Sequence, residues 1–436
     1  MLADVIESSA LDLLDPERLQ AIAEDLRVVE RRRGYHAGLV AVSLILSAMQ
    51  RSTDTEGRLV DARRVYEMLG GGATRESGFR KIARKVGPVL REILKRRLTA
   101  LATTTSSPEL RGRLSGFRDI LIPDGCGFKL ASALASAYDG TGQESQLKLH
   151  AVYSVRAGGL VSLHTTAGSV HDNEGFKPVW QPGALYIWDL GYNDYGRVIA
   201  ATKAQALVLQ RLKSGANPKV LASFSDGGTR RELRDENGCA PRLEEACAMG
   251  FVHKQRLLDL DAELRDNGET AVVRIVCVPF GGEDRYYLTS LPRSDFSPHD
   301  VAEIYRLRWE VELFFRGLKG AVRLDEVRRL ENKESLHAIV YGTLLAAVLA
   351  HDVTAKLNEL EATLEPQPLS ASTEAFPPET FELARDPHAS ERVAAGSPER
   401  STTAEPARPA DLLRRRLAAR SRVPSGPGAH ACHADR

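Results

Sequence analysis

Between residues 304 and 319 the chain places Tyr305, Arg308, Glu312 and Lys319 three, four and seven residues apart. On one helix, at about 100° per residue, these four side chains fall within roughly 60° of one another. Ile304, Leu307, Val311, Phe314 and Leu318 form the opposite, apolar stripe, which must face a core. Trp309 and Arg316 flank the polar line. One carboxylate, two cations and two aromatic rings along one line suit a metal ion and a nucleic-acid strand. The carboxylate can bind the metal, the cations can bind phosphates, and the rings can stack on bases. A solvated surface helix is the plainer reading, and these residues alone leave both open.

Two further acids stand at the ends of apolar runs. Asp124 closes Ile120-Leu121-Ile122-Pro123, and Asp189 closes the run from Ala184 to Trp188. Glycine follows closely in both places, as Asp124-Gly125 and Asp189-Leu190-Gly191. Asp-Gly is also an ordinary turn signal, so neither site is specific by itself. With Glu312 they make three carboxylates at the ends of elements that can converge. Crowded acids repel and shift their pKa values, and a divalent ion relieves this. Hard oxygen ligands select Mg²⁺ or Mn²⁺ over zinc. His150 and His164 lie on expected strands and read as packing or hydrogen-bonding residues. His171-Asp172 lies in a loop and is a minor candidate for a role near the metals.

The elements that must position these residues follow from periodicity. Residues 1–116 read as helical. Asp15-Pro16-Glu17 starts a helix, Gly38–Met49 is an apolar one, Gly70-Gly71-Gly72 breaks the chain, and Thr74 can cap the basic helix that follows. From Phe117 the texture turns to strands: residues 120–124, the alternating run Gln146–Val155, a turn at Ala157-Gly158-Gly159, and a return strand to Ala167. The run ending at Asp189 precedes a helix from Asp194 to Lys203 and a strand from Ala206 to Leu212. This order predicts an α/β fold, a mixed sheet with helices packed on it. Residues 219–290 read as a β-rich insertion holding the runs Ala271–Val278 and Arg285–Thr289. Ser297-Pro298 opens a helix running to Lys319, and Ser335–His351 forms a core helix. The catalytic segment is expected over residues 117–352, and residues 353–436 as a mostly disordered tail, since ten of the 21 prolines fall in the last 76 residues.

The net charge of +1 averages uneven parts. Residues 75–118 hold twelve Lys/Arg against three Asp/Glu, a density that suits a phosphate backbone, which marks the helical segment as a candidate DNA-binding domain. The five cysteines form no CxxC pair, which argues against zinc and disulfides. The apolar runs Gly38–Met49 and Ala338–Ala350 are short for a membrane span, and the N-terminal residues do not read as a signal peptide. A soluble cytoplasmic protein, associated with the nucleoid, is the expectation.

The spacing Tyr305-x2-Arg308-x3-Glu312-x6-Lys319 resembles the Tyr-Arg-Glu-Lys signature of IS4-type insertion-sequence transposases, a DDE family. Ile187-Trp188-Asp189-Leu190-Gly191-Tyr192 resembles that family's second-Asp block. Asp124-Gly125-Cys126-Gly127-Phe128 resembles its first, with Cys126 where a hydroxyl residue is common. The resemblance covers roughly residues 116–350. It implies an RNase H-like catalytic domain with the first Asp on the first strand, the second after the fourth, and the Glu on a later helix. It further implies that Asp124, Asp189 and Glu312 hold two Mg²⁺ ions (Mn²⁺ as a substitute) roughly 4 Å apart. Cut-and-paste cleavage at the terminal inverted repeats and strand transfer into target DNA would follow, by a homodimer on paired ends, without a membrane. By the same resemblance Tyr305, Arg308 and Lys319 grip phosphates near the cleaved end, and Trp309 helps to hold an unstacked base. Arg211 and Lys213, just after a strand, are candidates for added backbone contacts. The remaining alternatives are a DNA-binding protein that has lost catalysis and another RNase H-like nuclease, such as a junction resolvase.

Overall fold

The computed structural model describes residues 13–28, 34–50, 55–103, 112–142, 145–213, 215–225, 228–247, 257–280, 283–320 and 322–364. The described residues up to Asn358 belong to one compact unit; of the second, Glu359–Arg436, only the end of a helix is described. The expected disordered tail, its Arg414-Arg415-Arg416 cluster and the extreme N-terminus lie outside the described residues.

Among the described residues five helices come first: α1 (Pro16–Asp25), α2 (Ala37–Ala48), α3 (Thr55–Met68), α4 (Glu76–Lys85) and α5 (Gly87–Thr103). Asp15 caps α1 by accepting from the Glu17 amide, with Pro16 in the first turn, as the sequence predicts. The expected cap on α4 is different. Arg75 occupies that position without a side-chain bond, and the Thr74 amide and hydroxyl donate to Glu67 instead. A tertiary acceptor outcompetes the local one.

Ten strands form one mixed sheet in the order β3-β2-β1-β4-β5-β10-β9-β8-β6-β7. The first five are β1 (Ile120–Lys129), β2 (Gln146–Ser154), β3 (Gly159–Ala167), β4 (Leu185–Trp188) and β5 (Leu207–Arg211). β1, β2 and β3 are antiparallel neighbours, whereas β4 runs parallel to β1 and β5 parallel to β4. The chain therefore reverses its direction across the sheet between β1 and β4, the kind of switch point where open sheets place their sites. Two short helices interrupt these strands, α6 (Asp172–Gly175) and α7 (Tyr195–Lys203), the latter capped by Asp194 as expected.

The β-rich insertion brings β6 (Lys219–Phe224), β7 (Arg230–Glu232), α8 (Leu243–Ala246), β8 (Leu258–Asp266), β9 (Glu269–Phe280) and β10 (Glu283–Thr289). It continues the sheet: β10 pairs antiparallel with β5, through Tyr287 opposite Arg211. The following helix is not continuous. α9 (Pro298–Tyr305) ends in a tight 3₁₀ turn, Arg306–Arg308, before α10 (Trp309–Gly320). The last helix, α11 (Lys333–Leu364), is longer than the expected core helix. Residues 333–354 are long and apolar enough to cross a membrane by length and composition, but 67% of that window is buried inside the protein.

The N-terminal helices share a hydrophobic core with β1–β3, α9, α10 and α11. Arg58 on α3, 5% exposed, reaches the Thr343 hydroxyl on α11 and the carbonyls of Val322 and Arg323. Arg97 on α5 pairs with Asp352 at 2.7 Å.

Candidate active site

Strand alternation sets the orientation of the two aspartates. Ile120, Ile122, Cys126 and Phe128 on β1, and Leu185 and Ile187 on β4, belong to the core cluster that also holds Val311, Phe315 and Leu318 of α10. Asp124 and Asp189 continue the same alternation and so face the side covered by α10. β1 and β4 pair only at Ile120–Leu185 and Leu121–Tyr186, so the strands part just before Asp124. Asp124 lies within β1 rather than at its end, because β2 pairs with β1 out to Lys129. Asp189 opens a 3₁₀ turn, Leu190–Tyr192, that is held from below: Trp188 donates to Gln210, and Gln210 donates to Asn193 at 3.1 Å.

Glu312 comes from the first turn of α10. Arg308 sits between it and the strands. Its guanidinium bonds to Glu312 and lies 3.8 Å from Asp124, with 18% of the side chain exposed. Burial works against that charge, but Asp189, Tyr305, Glu312 and Asp124 outweigh it and hold the guanidinium above its ordinary pKa. Asp124 is pushed up to about 6, first by burial and further by Asp189 and Glu312, against the Gly125 amide and Arg308. Three acids from three elements thus share one cation.

Among the described residues, no three His, Cys, Asp or Glu side chains stand close enough as they are to ligate one ion. The guanidinium of Arg308 instead contacts Glu312 and lies 3.8 Å from Asp124. The donor chemistry nevertheless fits a hard divalent ion: the ligands are carboxylates, and Asp124, whose pKa is raised first by burial and further by Asp189 and Glu312, gains from a nearby cation.

Of the other expected residues, Tyr305 lies beside Arg308, with one correction. Tyr305 is not on the exposed polar line; it is 8% exposed and its ring packs 5.2 Å from that of Tyr287. The 3₁₀ turn rotates it out of register with Arg308 and Glu312. Its hydroxyl has no hydrogen-bond partner among the described residues, and burial, set against Arg308, raises its pKa. Phe315 rather than Phe314 is the deeper residue of the apolar stripe, four residues after Val311 and three before Leu318 on one helical face. Trp309 is 52% exposed with Arg316 over its ring. Lys319 is exposed, its ammonium 5.5 Å from the Phe128 ring and close to Cys126, whose thiol burial raises and Lys319 lowers. Arg211 and Lys213 line a cavity of about 620 Å³ that begins at Leu190 and includes Arg285 and Tyr286. His150 and His164 stack at 5.0 Å and pack as expected, with the His150 pKa lowered to about 4, chiefly by burial.

Sequence reasoning undervalued Asp172. Its Oδ1 lies 2.4 Å from where a Cβ on Gly125 would stand. Gly125 therefore makes room for a side chain rather than a turn. The signal in the sequence was a glycine inside a strand, which often marks close approach.

Residues 115–349 match the family described as Transposase DDE domain, so the chain belongs to the DDE transposases. The transposase for insertion sequence element IS421 of Escherichia coli is 40% identical over 87 residues, 20% of this chain and 22% of that protein. The match thus spans about a fifth of that relative's length. The transposase for insertion sequence element IS231F of Bacillus thuringiensis subsp. israelensis is 22% identical over 383 residues, 80% of this chain and 79% of the relative. A solved structure of the piggyBac transposase synaptic complex with hairpin DNA superposes with a TM-score of 0.42 at 10% identity, covering 83% of this chain and 75% of that one.

Proposed function

We propose that this chain cuts DNA at the ends of a mobile element and joins the freed ends to target DNA, with Asp124, Asp189 and Glu312 as its ion-binding carboxylates. The observation that carries this reading is that the Arg308 guanidinium bonds to Glu312 of α10 and lies 3.8 Å from Asp124 of β1, with the charge of Asp189 after β4 also acting on it. The strand order β3-β2-β1-β4-β5, with β2 alone running against the other four, supports an RNase H-like assignment for this half of the sheet.

Bound Mg²⁺ or Mn²⁺ would supply an activated water or 3′-hydroxyl and stabilise the leaving oxygen of an in-line displacement at phosphorus. Arg308 serves as the counter-ion of the carboxylates in the free protein. When DNA arrives, its planar fork suits a bidentate grip on a phosphate, which releases Glu312 and Asp124. The unpaired Tyr305 hydroxyl, close to Asp189 and Arg211, is available to donate to the same backbone. Lys319 adds a second cation on α10, and exposed Trp309 offers a ring for an unstacked base. Arg211 and Lys213, lining the cavity beside Leu190, provide further phosphate contacts.

Exposed Lys81, Lys85, Arg91 and Lys95 on α4 and α5 support the N-terminal helices as the DNA-binding segment. Arg84 and Arg97 are less available, because they bond to Ser335 and Asp352 on α11. Two copies, one on each element end, acting on nucleoid DNA in the cytoplasm complete the proposal.

The test uses linear DNA carrying the element's terminal inverted repeats. Cleavage at the repeat boundary that requires Mg²⁺, and is lost in Asp189→Ala, is the expected result. Wild-type cleavage by Asp189→Ala overturns the site. Binding of ends without cleavage, even in Mn²⁺, favours a protein that has lost catalysis, and preference for four-way junctions over linear ends favours a resolvase.

A further inference from the structure

Behind Asp124, on the opposite face of β1, lies Asp172, which with His171 is only a minor candidate by sequence for a role near the metals. Asp172 begins α6, and its Oδ2 stands 3.5 Å from the Cβ position of Gly191 while its Oδ1 fills that of Gly125. It therefore touches the residue after Asp124 and the residue two places after Asp189. Lys148 on β2 holds Oδ1 at 3.0 Å and donates to the Val170 carbonyl at 3.2 Å. Arg197 on α7 donates to the carbonyls of Asn173 and Phe176, so both ends of α6 are pinned. This is more fixation than a surface acid needs.

A second observation points into the same place. Tyr192 is 2% exposed, and its ring packs edge-on against Phe176 at 6.0 Å. Its hydroxyl has no hydrogen-bond partner among the described residues, although the charges of Asp172, Asp124 and Asp189 all act on it. A buried hydroxyl without a partner is unfavourable, and such a group in a native fold calls for an incoming ligand or water. β1 and β4 pair only as far as Leu121 and Tyr186, and Asp172 stands against the backbone just beyond, at Gly125 and Gly191.

We propose that Asp172 and Tyr192 form the back wall of the divalent-ion site and hydrogen-bond the water molecules of a hydrated ion held by Asp124 and Asp189. The inference rests on the reading of those two aspartates as ion ligands. Mg²⁺ and Mn²⁺ sites of this type keep several waters, and an acceptor such as Asp172 fixes their orientation. The Tyr192 hydroxyl accepts from the same waters or donates to a carboxylate. Groups that orient bound ligands in this way typically alter metal affinity by about 10–100-fold.

The experiment titrates Mn²⁺ alone into the full chain, without DNA, and follows free Mn²⁺ by electron paramagnetic resonance. Tyr192→Phe keeps the ring on Phe176 and removes only the hydroxyl; Asp172→Asn keeps the shape and removes the charge. Each is expected to weaken Mn²⁺ binding about 10-fold, with the metal-free melting temperature of Tyr192→Phe unchanged. Wild-type Mn²⁺ affinity in both, alongside its loss in Asp189→Asn, overturns the proposal. Wild-type affinity in Asp189→Asn as well overturns the underlying assignment of the ion site instead.

Discussion

Arg308 carries the most electrostatic weight of any residue at the site, because it is the cation that three acids share. Removing one partner of a fully buried ion pair costs about 3–5 kcal/mol. Arg308 keeps 18% of its side chain exposed, so Arg308→Met should cost less, about 2 kcal/mol. The freed carboxylates should then gain more from Mg²⁺, so the ion should raise the melting temperature of the variant more than that of the wild type. Thermal denaturation with and without Mg²⁺ checks this, and equal shifts would refute it. His150 makes a pH prediction. Burial lowers its pKa from 6.5 to about 4, so the folded state favours the neutral ring. The stabilisation is complete above the unfolded value and is lost as pH falls through the folded one, with an upper bound of about 3 kcal/mol. His150→Gln, which can still bond to Thr166, should therefore lose stability less steeply on acidification between those two values.

At the scale of elements, the 3₁₀ turn between α9 and α10 decides which side chains of this segment face solvent. It buries Tyr305 against Tyr287 while leaving Trp309 exposed. The start of α9 is fixed by Arg274 on β9, 4% exposed, which pairs with Asp259 on β8 and donates to the carbonyls of Leu291 and Phe296. Arg274→Ala should therefore cost about 3–5 kcal/mol and reduce cleavage through α9 rather than through chemistry. Hydrogen exchange should show faster opening of β8, β9 and the first turn of α9. Undisturbed protection of α9 would contradict the role given to this pair. Gly125 is the other element-scale control. Gly125→Ala puts a methyl 2.4 Å from Asp172 Oδ1, so either α6 shifts or β1 bends.

For the whole molecule, the helices before β1 are structural partners of the sheet as well as candidates for DNA contact. Arg58 ties α3 to α11 and to the segment after α10, and it is buried. Deleting residues 1–103 would uncover the apolar surface of α11, which is long and uninterrupted. The truncated chain is expected to aggregate, whereas Arg58→Ala should remain soluble with a lower melting temperature. A soluble, monodisperse truncation measured by size-exclusion chromatography would show that the catalytic part stands without these helices.

The candidate acids were legible in the sequence because each depends on a local rule. Asp124 and Asp189 follow apolar strand runs, and Glu312 sits on a helix whose two faces are written in its periodicity. Belonging to the DDE transposases was legible through the same three blocks. Local caps were read with mixed success: Asp15 and Asp194 act as expected, while Thr74 is drawn away by Glu67, which is seven residues earlier. What the chain alone did not reveal depends on contacts between distant segments. The pairing of β10 with β5, the burial of Tyr305 and the approach of Asp172 to Gly125 join residues from 18 to 80 positions apart. The sequence by itself determined which acids could bind an ion and which helix carries the third. Only the tertiary structure decided that Arg308 stands among them and that Asp172 and Tyr192 lie behind them, because those positions are set by packing across the sheet, to which no periodicity in the chain corresponds.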